Sequence, residues 1–227
     1  MKMENILRFL SLKKEYRMAV VDMSQLSHKL LQDFNGSEEV KKFMEQVVTD
    51  CTLLVAIDNL EKKLSFSFRL TEGHTIFFQL NYPEIVLHYS DSLTHYQGSV
   101  QTLFDKKSSL SVTVGDWKTG IHTSTIEANR ESIEAILEHF TIQSEQLASY
   151  FITTRTNPFR GLLLQPLPFA DETDVQEAIS RLRYFSERLG HCTWREVEEI
   201  LSDQATVIAR HHLSQSTSFL KNTREET

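Results

Sequence analysis

The spacing of apolar residues changes near residue 63, from the period of a helix to that of a strand. Between residues 40 and 55 they recur every three or four positions, and Ser37 stands where a helix would be capped. From Lys63 onward, apolar and polar residues alternate, as in a strand with one buried face. A long amphipathic helix followed by alternating strands predicts a central helix packed on a mostly antiparallel sheet.

Similar patterns extend this arrangement along the chain. Helical spacing also covers residues 23–34, 133–140 and 175–189, and Thr193 with Glu196 forms a capping box that opens a helix through Leu201. Gly98 and Gly120 are each placed to head a strand. The last third of the chain is predicted to be helical. Strands are predicted at residues 16–21, 64–70, 76–80, 85–89, 99–104, 110–114, 121–126, 150–154 and 161–167.

The composition is that of a folded globular protein. The chain has 40% hydrophobic and 24% charged residues, and its formal net charge is -7. Lysines and arginines occur as pairs such as Lys13-Lys14 and not as patches, so no nucleic-acid partner is predicted. No apolar segment is long enough for a signal peptide or a membrane span. These features predict a cytoplasmic protein with no membrane partner.

The cysteine and histidine pattern predicts neither a metal site nor a cofactor. The chain contains only Cys51 and Cys192, so there is no disulfide framework. Cys51 lies on the apolar face of the predicted central helix, and Cys192 lies between two predicted helices, where it can be exposed. The pairs His191-Cys192 and His211-His212 lack the spacing of metal ligands, and no glycine-rich loop favours ATP binding.

One segment carries family-level information. Residues 143–168 combine a polar group after a helix with two strands, the second of which ends in Gln165-Pro166-Leu167-Pro168. This segment resembles the signature of the heat shock protein 33 family. The residues that carry the resemblance are Ser144, Glu145, Gln146, Tyr150, Phe151, Gly161, Leu164, Gln165 and Pro168. We interpret them as structural, because short polar side chains at a helix end hold free backbone groups and set the direction of the next strand.

The resemblance implies a fold and a function. The expected fold is α/β (α+β), with two packed, mostly antiparallel sheets, crossing helices and a helical C-terminal extension. The expected function is that of an ATP-independent holdase chaperone that binds unfolded client proteins and forms a homodimer. We expect a chaperone-like core at residues 1–168, a helical linker-like extension at 169–213 and a frayed polar tail at 214–227. Client-binding residues are left unassigned.

The chain departs from the family at the position of its redox switch. That switch is a zinc site made of Cys-x-Cys and Cys-x-x-Cys after the last helix, where this chain reads Leu213-Ser214-Gln215-Ser216. Serine is a poor zinc ligand. We therefore expect chaperone activity without the zinc switch, either constitutive, triggered by heat or controlled by a partner. Two explanations stay open: this chain is a divergent relative that lost the zinc-binding domain, or the chain was cut short.

Two other functions compete with the chaperone. An adaptor or regulatory domain would keep the fold and lose client binding. A small hydrolase would use Ser144 as nucleophile, but the segment has no Gly-x-Ser-x-Gly elbow, so no enzyme is predicted. One half of the chain is rich in aromatic residues, and we predict that most of them are buried in the core of the protein itself. The alternatives are that a dimer partner or a client covers them. The residues are Phe66, Phe68, Phe77, Phe78, Tyr82 and Tyr89.

Overall fold

The structure is a computed structural model that describes residues 5–58, 60–116, 120–129, 132–154 and 159–216. Within these ranges, the helices are α1 (Ser24–Leu30), α2 (Glu38–Ile57), α3 (Ile133–Phe140), α4 (Glu172–Leu189) and α5 (Trp194–Leu201). The strands are β1 (Ile6–Ser11), β2 (Tyr16–Asp22), β3 (Lys63–Arg69), β4 (Thr75–Asn81), β5 (Glu84–Tyr89), β6 (Ser109–Asp116), β7 (Gly120–Glu127), β8 (Tyr150–Thr153), β9 (Arg160–Pro166), β10 (Ala205–His211) and β11 (Ser214–Gln215).

The strands form two sheets. The five-stranded sheet has the order β10-β1-β2-β9-β8, and every neighbouring pair is antiparallel. The six-stranded sheet has the order β11-β5-β4-β3-β6-β7, in which only β11 and β5 run parallel. The predicted α/β fold with two mostly antiparallel sheets and crossing helices is confirmed.

Helix α2 is the centre of the main core. Ser37 caps it as predicted, because its hydroxyl accepts a hydrogen bond of 3.3 Å from the Val40 N–H. Fifteen of its twenty residues are buried, including Cys51. One face of each sheet packs around this helix. Phe66, Phe68 and Phe78 lie in the same core and are fully buried. The predicted central helix and the predicted core role of these aromatic residues are both confirmed.

A second core lies on the other face of the five-stranded sheet. Alternate residues of its strands, such as Leu7, Met18 and Leu164, pack under α4 and α5. The predicted Thr193–Glu196 capping box is present at the start of α5. The sequence analysis allowed Cys192 to be exposed, but its side chain is only 7% exposed. The turn between the two helices places it in this second core.

Several predicted elements differ in the structure. Residues 205–211, predicted as part of a helical extension, form the edge strand β10, because pairing with β1 and not local propensity decides their conformation. Strand β1 itself was missed. Residues 99–104, predicted as a strand that Gly98 heads, contain the 3₁₀ turn Val100–Leu103, and the helix predicted at 23–34 ends at Leu30.

The end of the chain is also more ordered than predicted over three residues. Ser214 and Gln215 pair with β5, and the Ser216 N–H donates to the Ile85 carbonyl at 2.9 Å. Residues 217–227 of the predicted tail lie outside the described residues. The division of the chain at residues 168 and 213 stays a prediction. No helix among the described residues is long and apolar enough to cross a membrane.

Candidate functional site

The polar group of the signature forms a tight turn after α3. Ser144 and Glu145 end the π-helical turn Thr141–Glu145, and Gln146 follows in the left-handed region with φ 55° and ψ 31°. The Leu147 N–H then donates to the Thr141 carbonyl at 3.1 Å. A left-handed residue with backbone hydrogen bonds to the last turn is a common way to end a helix. The turn therefore redirects the chain from α3 toward β8.

The hydrophobic part of the signature lies in two paired strands. Tyr150 of β8 is opposite Leu164 of β9, and Gly161 is opposite Thr153 on one side and Val21 of β2 on the other. The Phe151 N–H donates to the Glu138 carboxylate of α3 at 3.2 Å, which fastens β8 to that helix. Pro168 lies beyond the end of β9 and does not join this group.

Gln165 connects the signature to a charged network that the sequence did not indicate. It is 1% exposed and pairs in register with Arg17 of β2. Its side-chain oxygen accepts from Arg17 Nε at 3.1 Å and Nη2 at 2.8 Å, and its amide donates to Ser149 Oγ at 2.7 Å. Both ends of a buried amide are thus satisfied, which fixes the direction of the guanidinium group.

Arg17 in turn contacts the end of α2. Its Nη1 lies 3.5 Å from Asp58 Oδ1, and Lys62 Nζ donates to Asp58 Oδ2 at 3.2 Å. Nearby, Arg8 Nη2 donates to the Ile57 carbonyl at 3.4 Å. Cations at the C-terminal end of a helix are favoured by its dipole. The network therefore joins the five-stranded sheet to the end of the central helix.

These residues surround a cavity of about 290 Å³ where α2 meets both sheets, which we call the junction cavity. Signature residues Glu145 and Gln165 lie in its wall together with residues of α2, β2, β3 and β6. The complete lining is Arg17, Leu54, Val55, Ile57, Asp58, Lys62, Leu64, Val114, Glu145, Leu147 and Gln165.

The charged groups around the cavity influence one another. The surrounding protein removes water from the Glu145 carboxyl, which raises its pKa, and the negative charge of Asp58 raises it further. Burial lowers the pKa of Arg8, as does the neighbouring Arg17, while Asp58 opposes this change. Such an arrangement can hold a ligand by shape and polarity. Ser144, the candidate nucleophile, is exposed in the turn that follows α3.

The other candidate chemistry is not brought together. Over the residues that the structure describes, no group of three or more histidine, cysteine, aspartate or glutamate side chains can hold a metal ion. Cys51 and Cys192 are both buried in different cores. Burial, followed by the charge of Asp50, raises the pKa of the Cys51 thiol well above its ordinary value. Buried thiols of this kind are chemically inert.

Sequence reasoning missed Arg17, Asp58 and Lys62. One signal was present, since Arg17 is the only charged residue in the otherwise apolar run Tyr16–Val21 and lies on the same strand face as Ala19 and Val21. Asp58 and Lys62 lie in a connection between helix and strand, where charged residues are ordinary. Their partnership with Arg17 depends on the approach of α2 to β2.

Comparisons with known proteins agree with this fold. The family model described as Hsp33 protein matches residues 4–218. The crystal structure of the 33 kDa chaperonin (heat shock protein 33 homologue) from Thermotoga maritima is similar with a TM-score of 0.75 at 10% identity. The alignment covers 95% of this chain and 81% of that one. A search of curated protein sequences found no match. Because the family model spans nearly the whole chain, the protein belongs to the Hsp33 family.

Proposed function

We propose that this protein is an ATP-independent holdase-type chaperone, and that its client surface is the face of the five-stranded sheet beneath α4 and α5. Membership of a chaperone family supports the general function. The observation that carries the proposal is the second core, in which an apolar sheet face is covered by two helices close to the C-terminal end of the described chain.

A holdase needs apolar surface that it can expose without aggregating itself. In the described structure, large exposed apolar side chains are single and scattered: Leu12, Tyr82, Ile121, Ile142, Phe169, Tyr184 and Ile208. The covered sheet face is different, because it offers a continuous apolar group made of Leu7, Phe9, Met18, Val20, Ile152, Leu162 and Leu164. Lifting the helices would present this group to a client.

The helices are held mainly by a narrow apolar stripe. Among the described side chains of α4, only Val175, Ala178, Ile179 and Leu182 are buried. The ion pairs Lys13–Asp174 and Arg181–Asp203 are exposed to solvent, where such pairs contribute little to stability. The sheet beneath this stripe is held together by the hydrogen bonds of its own paired strands. Heating should therefore loosen the helices before the sheet.

Leu182→Ala tests this proposal, with Tyr184→Ala as the matched control. Leu182 lies on the buried side of α4 and is 0% exposed, whereas Tyr184 of the same helix is 84% exposed. Light scattering of a heat-unfolding client is measured against temperature, with and without ATP and peroxide. We expect the wild-type chain and Tyr184→Ala to suppress aggregation above the same onset temperature, and Leu182→Ala to suppress it at a lower one.

The conditions separate the possible modes of control. Suppression that needs ATP contradicts the holdase function. Suppression that appears only after peroxide treatment contradicts our interpretation of Cys51 and Cys192 as inert. No suppression at any temperature favours the adaptor function. Equal onsets for Leu182→Ala and Tyr184→Ala show that clients bind elsewhere.

The expected homodimer and cytoplasmic location belong to the same proposal. Sedimentation equilibrium of the purified chain at several concentrations measures the first of these. A mass that corresponds to a single chain at every concentration contradicts the dimer and leaves the holdase function untouched.

A further inference from the structure

The junction cavity combines an apolar floor with a polar rim. Its floor is made of Leu54, Val55 and Ile57 of α2, with Leu64 of β3, Val114 of β6 and Leu147 completing it. The three α2 residues are at most 4% exposed. Leu64, Val114 and Leu147 are only half-buried, so part of their apolar surface faces the cavity. Such a floor favours an apolar occupant.

The rim does not require a charged occupant. Arg17 is held by Gln165 and by Asp58, and Asp58 is also held by Lys62. The charges of this group are therefore largely compensated within the protein. An anion that entered the cavity would lose its hydration without gaining an unpaired cation, since Arg17 and Lys62 are already paired.

The size of the cavity suits one large side chain. Its volume is about 290 Å³. An apolar cavity of about 150 Å³ is enough for a benzene molecule. A phenylalanine or leucine side chain can therefore enter with space left for part of its own backbone.

The mouth suits a peptide backbone. Lys62 is 37% exposed and offers ammonium N–H donors, and Glu145 is exposed at the mouth and offers carboxyl oxygens. Every residue of a peptide carries one carbonyl acceptor and one N–H donor beside its side chain. The two charged groups thus complement the two polar groups of an amide on either side of an inserted side chain.

We propose that the junction cavity binds a large apolar side chain of an extended, unfolded client segment. Arg17, like Ala19 and Val21, lies on the α2 side of the five-stranded sheet, so the cavity is separate from the face that α4 and α5 cover. It is therefore available while those helices are docked. The client as the source of the side chain rests on the proposed function, whereas the binding of an apolar side chain does not.

Methyl NMR of the full-length chain tests the site directly. The probe is N-acetyl-phenylalanine methylamide, and N-acetyl-aspartate methylamide is the charged comparison. We expect saturable shifts of the Leu64, Val114 and Leu147 methyl signals with the phenylalanine probe. The aspartate probe should bind at least about tenfold more weakly, because its charge has to be desolvated.

Leu147→Trp fills the cavity, and Ile142→Trp is its matched control. Both positions belong to the turn after α3, but Ile142 is 56% exposed and does not line the cavity. Leu147→Trp should abolish the probe-induced shifts of Leu64 and Val114, and Ile142→Trp should preserve them. Val114→Phe is a second filling variant from another element and should act as Leu147→Trp does. Leu147→Trp should also lower client suppression several-fold above the onset temperature of the wild-type chain.

Three results would overturn the proposal. The first is an absence of saturable shifts at these methyl groups in the wild-type chain. The second is a concentration-dependent shift of the same signals without probe, which would identify a second copy as the occupant. The third is wild-type client suppression by Leu147→Trp after probe binding is lost. If the wild-type chain suppresses no aggregation, the proposed holdase function is wrong, and so is the client as the source of the side chain. The NMR titration still decides whether the cavity binds an apolar side chain.

Discussion

The two faces of the five-stranded sheet are covered in different ways. The face that carries Ile6, Ala19 and Val21 packs against α2, a helix with fifteen of twenty residues buried. The opposite face packs against α4, whose described side chains include only four that are buried. A helix that is buried nearly all round cannot leave without opening the whole core, but a helix with one apolar stripe can. We therefore expect this sheet to have one permanent face, against α2, and one face that can be uncovered, against α4.

Truncation of the central helix should have the largest effect. Leu53 is 0% exposed within the main core. We expect Leu53→Ala to lower the free energy of global unfolding by about 2–5 kcal/mol, because it leaves a cavity between the sheets. Urea unfolding followed by circular dichroism measures this. The exposed Leu12→Ala serves as control and should change the free energy by less than about 0.5 kcal/mol.

The second face should respond locally. We expect Leu182→Ala to lower the free energy of opening of the α4 amides by about 2–3 kcal/mol, the lower part of the range for such truncations, since one side of the helix can settle. Native-state hydrogen exchange measures this for each amide. Amides of α2 should keep their protection. If α2 and α4 amides lose protection together, the two faces open as one unit and the contrast between them is wrong.

Asp50 tests the permanent face through pH. Its carboxyl is 0% exposed in α2. Burial, followed by the charge of Glu134, raises its pKa well above 3.8, and Glu138 acts in the same direction while Gln46 opposes it. The folded state thus binds the proton more tightly than the unfolded state. Stability from this group is complete below pH 3.8 and is lost as the pH rises through the folded-state pKa.

Asp50→Asn removes that loss. We expect the variant to be more stable than the wild type at pH 7 and the difference to be smaller at pH 4, because an amide is neutral in the core without having to bind a proton. Thermal unfolding at the two pH values measures the change. Asp33→Asn on the surface is the control. A difference that grows toward low pH would contradict the raised pKa.

The smallest effect is expected at the rim of the junction cavity. Arg17→Lys keeps the charge but cannot reproduce the two hydrogen bonds to Gln165 Oε1. We expect a loss of about 1 kcal/mol in unfolding free energy, because the buried amide oxygen loses a donor. Urea unfolding measures it, and Arg69→Lys on an exposed part of β3 should be neutral. A loss of equal size in both variants would mean that the network adds nothing specific.

Local sequence predicted the elements that have a strong period of their own. Helix α2 with its Ser37 cap, α3, the α5 capping box and strands β3 and β4 all follow from the spacing of a few residues. The signature at residues 143–168 correctly indicated the family. The predicted structural role of its residues stays a prediction, although the structure places Gln146 at a left-handed helix end and Gln165 in a buried network.

Three of the errors share one physical cause. Residues 205–211 become a strand because β1 lies beside them, and β1 itself is recognisable only once its neighbours β2 and β10 are known. Cys192 is buried because α4 and α5 close over it. In each case a contact between residues far apart in the chain overrides a weak local preference.

The sequence by itself determined the class of fold, the central helix and the family, since periodicity and short motifs act over a few residues. Only the tertiary structure decided that Arg17 and Gln165 share a register, that Asp58 and Lys62 complete the rim with Glu145, and that a cavity remains between the two sheets. The reason is that register, sheet order and the space left between layers are set by packing over the whole chain and not by any one segment.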